Sequence, residues 1–211
     1  MSGKKSYLLA YNGISTLLWS YILYNNIIDL SNGFFSYKLN EGIPHKFIII
    51  TQLINSSFEI FHSVVRLVPS PLATLFLQSF ARLIIMIGIC FVIPESPANF
   101  NLYIFSGLIF AWSITEIIRY GFYFLKLWQK NVPFALVWLR YSAFFVLYPL
   151  GLICESITVY DSYSVIEKRL PLYSKFLKFA LPLYLPGFLY LYNYMIKQRR
   201  KVLRNEKQKL L

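Results

Sequence analysis

The chain has 211 residues, of which 57% are hydrophobic and only 14% charged, and its formal net charge is +12. The apolar residues occur in long blocks, a pattern typical of an integral membrane protein that excludes an ordinary soluble core. In such a chain the positive charge indicates membrane topology and attraction to anionic lipids, and it argues against a nucleic-acid partner.

Six apolar segments are each long enough to cross a bilayer, which takes roughly 20 residues. In chain order they cover residues 7–30, 46–68, 72–93, 100–124, 133–159 and 172–196. The breaks contain turn formers and helix terminators, among them Ser31-Asn32-Gly33, Pro69-Ser70-Pro71 and Pro94-Glu95-Ser96-Pro97. The sequence therefore predicts an all-α, polytopic membrane protein, a six-transmembrane-helix bundle. We expect one domain at residues 1–197 and a basic cytosolic tail at 198–211.

The first segment is longer than the roughly 7 to 15 apolar residues of a signal peptide, so we expect it to be retained. Six spans place both termini on one side of the membrane, and the excess of basic residues on that side favours the cytosol. The chain ends in Lys207-Gln208-Lys209-Leu210-Leu211. These lysines resemble the dilysine retrieval signal of endoplasmic-reticulum membrane proteins, which acts on a cytosolic C-terminus. The alternative is a solvated charge run.

Ionisable residues inside apolar segments are candidates for functional sites, because burying them in a membrane is costly. Glu59, Gln78 and Arg82 lie at similar depths in the second and third segments. Glu59 and Arg82 can pair across neighbouring helices, in a structural or a catalytic role. In the fourth segment Glu116 and Arg119 are spaced i, i+3, which predicts a local ion pair.

The fifth segment carries its polar residues on one stripe. Tyr141, Tyr148 and Glu155 follow at intervals of seven residues, which drifts only about 20° per step on a straight helix. Tyr148 and Glu155 would lie about 10 Å apart along the axis, so a substrate could lie between them. A phenol and a carboxylate on one face indicate acid–base chemistry. The alternative is a packing tyrosine and a buried glutamate that another helix satisfies.

The residues around this pair resemble a known family. Residues 138–155, which contain Tyr148-Pro149-Leu150-Gly151-Leu152-Ile153-Cys154-Glu155, are similar to the signature of the very-long-chain (3R)-3-hydroxyacyl-CoA dehydratases, also called protein-tyrosine-phosphatase-like membrane proteins. Residues 59–62, with Gln78 and Arg82, and residues 112–120 resemble the family's other blocks. The resemblance covers about residues 7–197 and agrees with the six-span count.

The resemblance implies a lyase that dehydrates a (3R)-3-hydroxyacyl-CoA to the trans-2-enoyl-CoA, the third step of very-long-chain fatty-acid elongation. Tyr148 and Glu155 would be the catalytic pair, and the reaction needs no metal or redox cofactor. We expect Tyr148 to abstract the C2 proton and a protonated Glu155 to protonate the departing hydroxyl, although the reverse assignment is open. Supporting or substrate-binding roles are expected for Glu59, Gln78, Arg82, Glu116, Arg119, Arg140 and Gly151.

The two ends of the substrate lead us to expect two further features, a phosphate-binding region and an apolar tunnel. Arg119, Lys126, Lys130 and Arg140 are placed to meet the phosphates of CoA, although both arginines could equally be structural. The 19 phenylalanines and 17 tyrosines suit the walls of an apolar tunnel for the acyl chain. We also expect contacts with membrane lipids and with the other elongation enzymes.

Several other functions do not fit the residues. Phosphatase chemistry of the cysteine type needs an arginine six residues after the cysteine, but Ser96 follows Cys90 and Tyr160 follows Cys154 at that distance. The two histidines are too few for a di-iron desaturase. A non-enzymatic membrane scaffold or small transporter is the competing function, because buried charges and broken helices also occur in transporters.

Overall fold

The computed structural model describes residues 3–35, 43–68, 72–129 and 131–210, and over these residues the protein is all-α without a β-strand. This confirms the all-α part of the predicted fold class. The helices are α1 (Gly3–Asn32), α2 (Lys46–Val64), α3 (Leu72–Leu83), α4 (Leu102–Trp128), α5 (Phe134–Ser142), α6 (Phe144–Ile166) and α7 (Pro171–Leu210), with a π-helical segment at Ile84–Phe91 and a 3₁₀ turn at Pro97–Asn99.

Two of the predicted breaks have clear causes in the structure. Helix α1 ends at Asn32 and is followed by Gly33 with φ of 78°, a left-handed conformation that glycine adopts without strain. At the break at residues 94–97, the Ser96 hydroxyl accepts a hydrogen bond from the Ala98 amide, and Pro97 is the first residue of the 3₁₀ turn. The predicted break at 69–71 lies outside the described residues.

Three stretches of the described chain are long and apolar enough to cross a membrane: Lys46–Val64, Leu102–Trp128 and Phe134–Ile166. The apolar stretch Leu75–Phe91 is shorter and falls within the third predicted segment. Helices α1 and α7 cover the first and sixth predicted segments but carry many polar side chains. The structure therefore supports a membrane protein with three candidate spans, and the count of six stays a prediction.

The fifth predicted segment consists of two helices, α5 and α6, which meet at Ala143. Helix α6 continues through Pro149, although proline cannot donate its own helical hydrogen bond. Helix α7 is 40 residues long, which corresponds to about 60 Å. It runs past residue 197, where we placed the boundary between the domain and its tail. That division stays a prediction.

The chain divides into two compact units. Unit 1 comprises Met1–Ile28, Ser106–Cys154 and Leu185–Leu211, and unit 2 comprises Asp29–Phe105 and Glu155–Tyr184. The core of unit 1 includes Trp19, Ile22, Leu108, Ile109 and Trp112. The core of unit 2 includes the fully buried Ile85, Met86, Ile89 and Cys90 of the π-helical segment, with Val159, Ile166 and Leu177. In each unit, apolar side chains from several helices close around one another.

Candidate active site

Helix α6 packs closely on α4 within unit 1 because small residues face each other. A Cβ at Gly107 of α4 would lie 3.0 Å from the Cys154 sulfur, and one at Gly151 of α6 would lie 3.8 Å from the Ala111 Cβ. Small residues at a helix contact allow two backbones to approach. The tight approach is at Gly107, whereas a Cβ at Gly151 would make only ordinary van der Waals contacts, so the supporting role expected for Gly151 stays a prediction.

Tyr148 belongs to an aromatic stack in unit 1. Its ring lies parallel to that of Phe188, with the centroids 5.0 Å apart and the planes 10° from each other. Tyr192 extends the stack at 5.1 Å from Phe188. These contacts fix the orientation of the phenol, which a residue in proton transfer requires.

Glu155 lies in a neighbourhood of tyrosines within unit 2. Its carboxyl is within electrostatic range of the Tyr184 hydroxyl, which is also within range of Tyr173. The Tyr173 hydroxyl in turn packs against Gly88 of the π-helical segment, so closely that a side-chain carbon at Gly88 would overlap it. We call Glu155, Tyr173 and Tyr184 the carboxyl–tyrosine cluster.

Arg140 lies among aromatic rings in unit 1. Its Nη2 donates a hydrogen bond of 2.7 Å to the Tyr123 hydroxyl, and its Cζ lies 4.8 Å from the centre of the Phe122 ring and 4.5 Å from that of Tyr123. Its Nε is buried and has no hydrogen-bond partner within the described ranges of the chain. The guanidinium of Arg140 therefore keeps one N–H group that can donate a hydrogen bond to a phosphate oxygen.

Glu116 and Arg119 form the predicted ion pair on α4, with Arg119 Nε donating to Glu116 Oε2 at 2.8 Å. The Glu116 side chain is 4% exposed and that of Arg119 is 27% exposed. The guanidinium also covers the ring of Tyr120, whose hydroxyl lies 3.5 Å from the Tyr11 hydroxyl. The local pairing is confirmed, whereas its role at a substrate site stays a prediction.

The other predicted supporting residues lie on α2 and α3, which pack together in unit 2. Gln78 is exposed, whereas Glu59 and Arg82 are partly buried. Glu59 lies within electrostatic range of His62 on its own helix. The predicted pairing of Glu59 with Arg82 stays a prediction, and Lys130 lies outside the described residues.

The sequence did not single out Tyr173, Tyr184 or Arg199. Arg199 Nε on α7 donates a hydrogen bond of 3.0 Å to the buried Ser142 hydroxyl, and its Cζ lies 5.3 Å from the centre of the Phe145 ring. A signal existed for the tyrosines, because residues 173 and 184 are eleven apart and share one helix face. No such signal distinguished Arg199 from the other basic residues of the tail.

An apolar cavity of about 460 Å³ lies in unit 1. Leu23, Ile114, Ile117, Ile118, Trp138, Leu139, Ser142, Ala143, Val146 and Leu147 line it. Ser142 and Trp138 are the residues of this lining whose side chains carry a polar group. Such a cavity suits a hydrocarbon chain better than a polar ligand.

The helices and these side chains define the class of protein: an all-helical membrane protein with tyrosine, carboxyl and arginine side chains partly buried in its spans. The family model described as "Protein tyrosine phosphatase-like protein, PTPLA" matches residues 53–205. The chain belongs to this family.

Relatives match almost the whole chain. It is 34% identical to a very-long-chain (3R)-3-hydroxyacyl-CoA dehydratase of Caenorhabditis elegans, over 94% of this chain and 95% of the relative. It is 32% identical to the dehydratase PASTICCINO 2 of Arabidopsis thaliana, over 97% and 96%. It is 31% identical to dehydratase 2 of Homo sapiens, over 94% and 81%. No solved structure gives a significant match.

Proposed function

We propose that this chain is a very-long-chain (3R)-3-hydroxyacyl-CoA dehydratase, a hydro-lyase that forms the trans-2-enoyl-CoA in the third step of fatty-acid elongation. One observation carries the proposal. The chain belongs to the matched family, and relatives that bear this name align with nearly the whole chain. The placement of Tyr148 and Glu155 on α6 adds a chemical reason.

The proposed mechanism needs one base and one acid. Tyr148, acting as its phenolate, takes the C2 proton and becomes the phenol, the C2–C3 double bond forms, and the C3–O bond breaks as Glu155 donates its proton to the leaving hydroxyl and becomes the carboxylate. The products are the enoyl thioester and water. The two residues are seven positions apart on α6, about 10 Å along the axis, which leaves room for the reacting carbons. The stack of Tyr148 on Phe188 supports this role by orienting the phenol.

The charged end of the substrate has a candidate partner in unit 1. Arg140, with its unpartnered Nε, and the half-buried Arg119 are proposed to bind the phosphates of CoA. Lys126, whose Nζ lies 5.9 Å from the centre of the Phe122 ring, would add to this positive charge. The apolar cavity lined by Ile114, Val146 and Leu147 is proposed to hold part of the acyl chain.

The proposed setting is the endoplasmic-reticulum membrane, with six spans and both termini in the cytosol. The basic residues near the termini and in the tail support this orientation, and Lys207 and Lys209 would act as the retrieval signal. Membrane lipids and the other elongation enzymes are the proposed partners. Attaching a glycosylation site to each terminus tests the topology, because cytosolic termini remain unmodified.

Purified protein in detergent, given a very-long-chain (3R)-3-hydroxyacyl-CoA, tests the function directly. We expect the trans-2-enoyl-CoA to form without an added cofactor. Monodisperse, folded protein that releases no water from this substrate would contradict the proposal and favour a membrane scaffold. Uptake of a solute by proteoliposomes, without such dehydration, would favour a transporter.

A further inference from the structure

The Tyr184 hydroxyl is shielded from solvent and makes no hydrogen bond to any residue that the structure describes. It lies on α7 between Pro182 and Pro186. Because neither proline has an amide hydrogen, the carbonyls of residues 178 and 182 lose their usual helical partners. Buried hydroxyls normally have hydrogen-bond partners, so this phenol is a donor available to a ligand.

The surroundings of this phenol indicate which ligand it would meet. Tyr184 lies within electrostatic range of Glu155 and of Tyr173. Tyr184, Phe188 and Tyr192 are spaced by four residues, so they follow one side of α7. Phe188 stacks on Tyr148, the other proposed catalytic residue. Within unit 2, a ligand that the Tyr184 hydroxyl meets would therefore also lie near the carboxyl of Glu155, the proposed acid.

The proposed reaction requires a hydrogen-bond donor that the catalytic pair does not supply. As the C2 proton leaves, negative charge develops on the thioester carbonyl oxygen, and oriented donors at such an oxygen stabilise the transition state. Tyr148 and Glu155 are both engaged in proton transfer. Since C1 and C3 are both bonded to C2, a donor beside the acid that serves the C3 hydroxyl can also reach the C1 carbonyl.

We propose that Tyr184 is a further catalytic residue, whose hydroxyl donates a hydrogen bond to the thioester carbonyl oxygen of the acyl substrate. This role rests on the proposed dehydratase function. Tyr184 keeps its proton throughout, while the C2 proton goes to the base and the C3 hydroxyl leaves as water with the proton of Glu155.

The variant Tyr184→Phe tests this role because it removes only the hydroxyl. We expect kcat to fall about 100-fold, as for the loss of one oxyanion donor, while KM changes less than about threefold. The primary isotope effect with substrate deuterated at C2 should rise, because proton removal becomes slower relative to the other steps. Tyr190→Phe on the same helix is the matched control, since Tyr190 is 64% exposed, and it should retain wild-type rates.

A kcat close to that of the wild type, or a lower kcat with an unchanged isotope effect, would overturn this role. Should Tyr184→Phe not fold, 3-fluorotyrosine at position 184 keeps the shape and makes the phenol a stronger donor. The C2 isotope effect should then fall, and an unchanged value would overturn the role as well. A wild-type protein without dehydratase activity would instead overturn the proposed function, and this role with it.

Discussion

The polar side chains of unit 1 and of the carboxyl–tyrosine cluster in unit 2 are satisfied in different ways. In unit 1, Arg119 is held by Glu116, Arg140 by Tyr123 and Arg199 by Ser142, while the Nε of Arg140 has no hydrogen-bond partner among the described residues. In unit 2, the whole polar group of Tyr184, its buried hydroxyl, has no hydrogen-bond partner in the described part of the chain, although Glu155 and Tyr173 are within electrostatic range.

This difference matters because the two arrangements suit different tasks. An arginine that is held by aromatic rings and a hydroxyl is already oriented, and it can bind a phosphate group without changing its position. A buried hydroxyl that lacks a partner gains most from a ligand that supplies one, since leaving it unpaired costs about 1–3 kcal/mol. We therefore expect substitutions of the unit 1 arginines and their partners to change binding or stability, and those around Glu155 to change the chemical step.

The largest effects are expected from Tyr148→Phe and Glu155→Gln, each of which should lower kcat by about 10³-fold or more, because a proton-transfer group is lost. Tyr160→Phe and Glu167→Gln, at exposed positions near the same helix, are the matched controls and should remain active. Exchange of the C2 proton with solvent, followed by NMR, separates the roles. Undiminished exchange in Tyr148→Phe would contradict its assignment as the base.

The next effect concerns His45, a buried residue of unit 2 whose Nε2 lies 2.9 Å from the Asn99 carbonyl oxygen. Burial lowers the pKa of His45 from 6.5 to about 4. Above pH 6.5 the ring is neutral in both the folded and the unfolded states. As the pH falls from 6.5 to 4, the unfolded state binds a proton first. The folded state should therefore lose about 3 kcal/mol.

Thermal unfolding in detergent at a series of pH values checks this expectation. His45→Gln retains an N–H donor but cannot titrate, so its stability should fall less over the same pH range. His62 is unchanged in both proteins and serves as an internal control. Identical pH profiles for the wild type and His45→Gln would contradict the role of His45.

Glu116→Gln tests whether the arginines of unit 1 need their partners for stability. The substitution leaves Arg119 without its counter-charge in a mostly buried position, and we expect a loss of about 2 kcal/mol, reduced from the value for a fully buried pair by the exposure of Arg119. Glu167→Gln breaks the exposed pair with Lys178 and should cost less than about 1 kcal/mol. Equal losses in the melting temperature would contradict this distinction.

The smallest effect is expected for Arg140→Met, which removes the proposed phosphate ligand. KM for the acyl-CoA should rise about 10-fold while kcat changes little, because the contact is made equally before and during the reaction. The corresponding acyl-pantetheine, which lacks the nucleotide phosphates, should show no such change. Tyr123→Phe keeps the charge and is the control. A fall in kcat alone would place Arg140 in the chemical step instead.

Local patterns in the sequence predicted several features correctly. The spacing of Glu116 and Arg119 predicted their ion pair, because residues three apart on a helix are neighbours wherever that helix lies. Turn residues predicted the breaks at Gly33 and before Pro97 for the same local reason. The helical nature of the chain also followed from its long apolar blocks.

Features that depend on which helices meet could not be predicted in this way. The sequence predicted one span at residues 133–159, and the structure has a candidate span at Phe134–Ile166, but the break between its two helices at Ala143 was not predicted. Arg199 reaches Ser142 across 57 positions, and no local pattern specifies such a partner.

The sequence by itself determined the all-α class, the family signature and the stripe that carries Tyr148 and Glu155, because helix periodicity and composition act over short distances along the chain. The tertiary structure decided that Phe188 stacks on Tyr148 and that the buried hydroxyl of Tyr184 lies near Glu155. These contacts join positions some 30 to 40 residues apart on different helices. They depend on how side-chain shapes fit between helices, which periodicity does not specify.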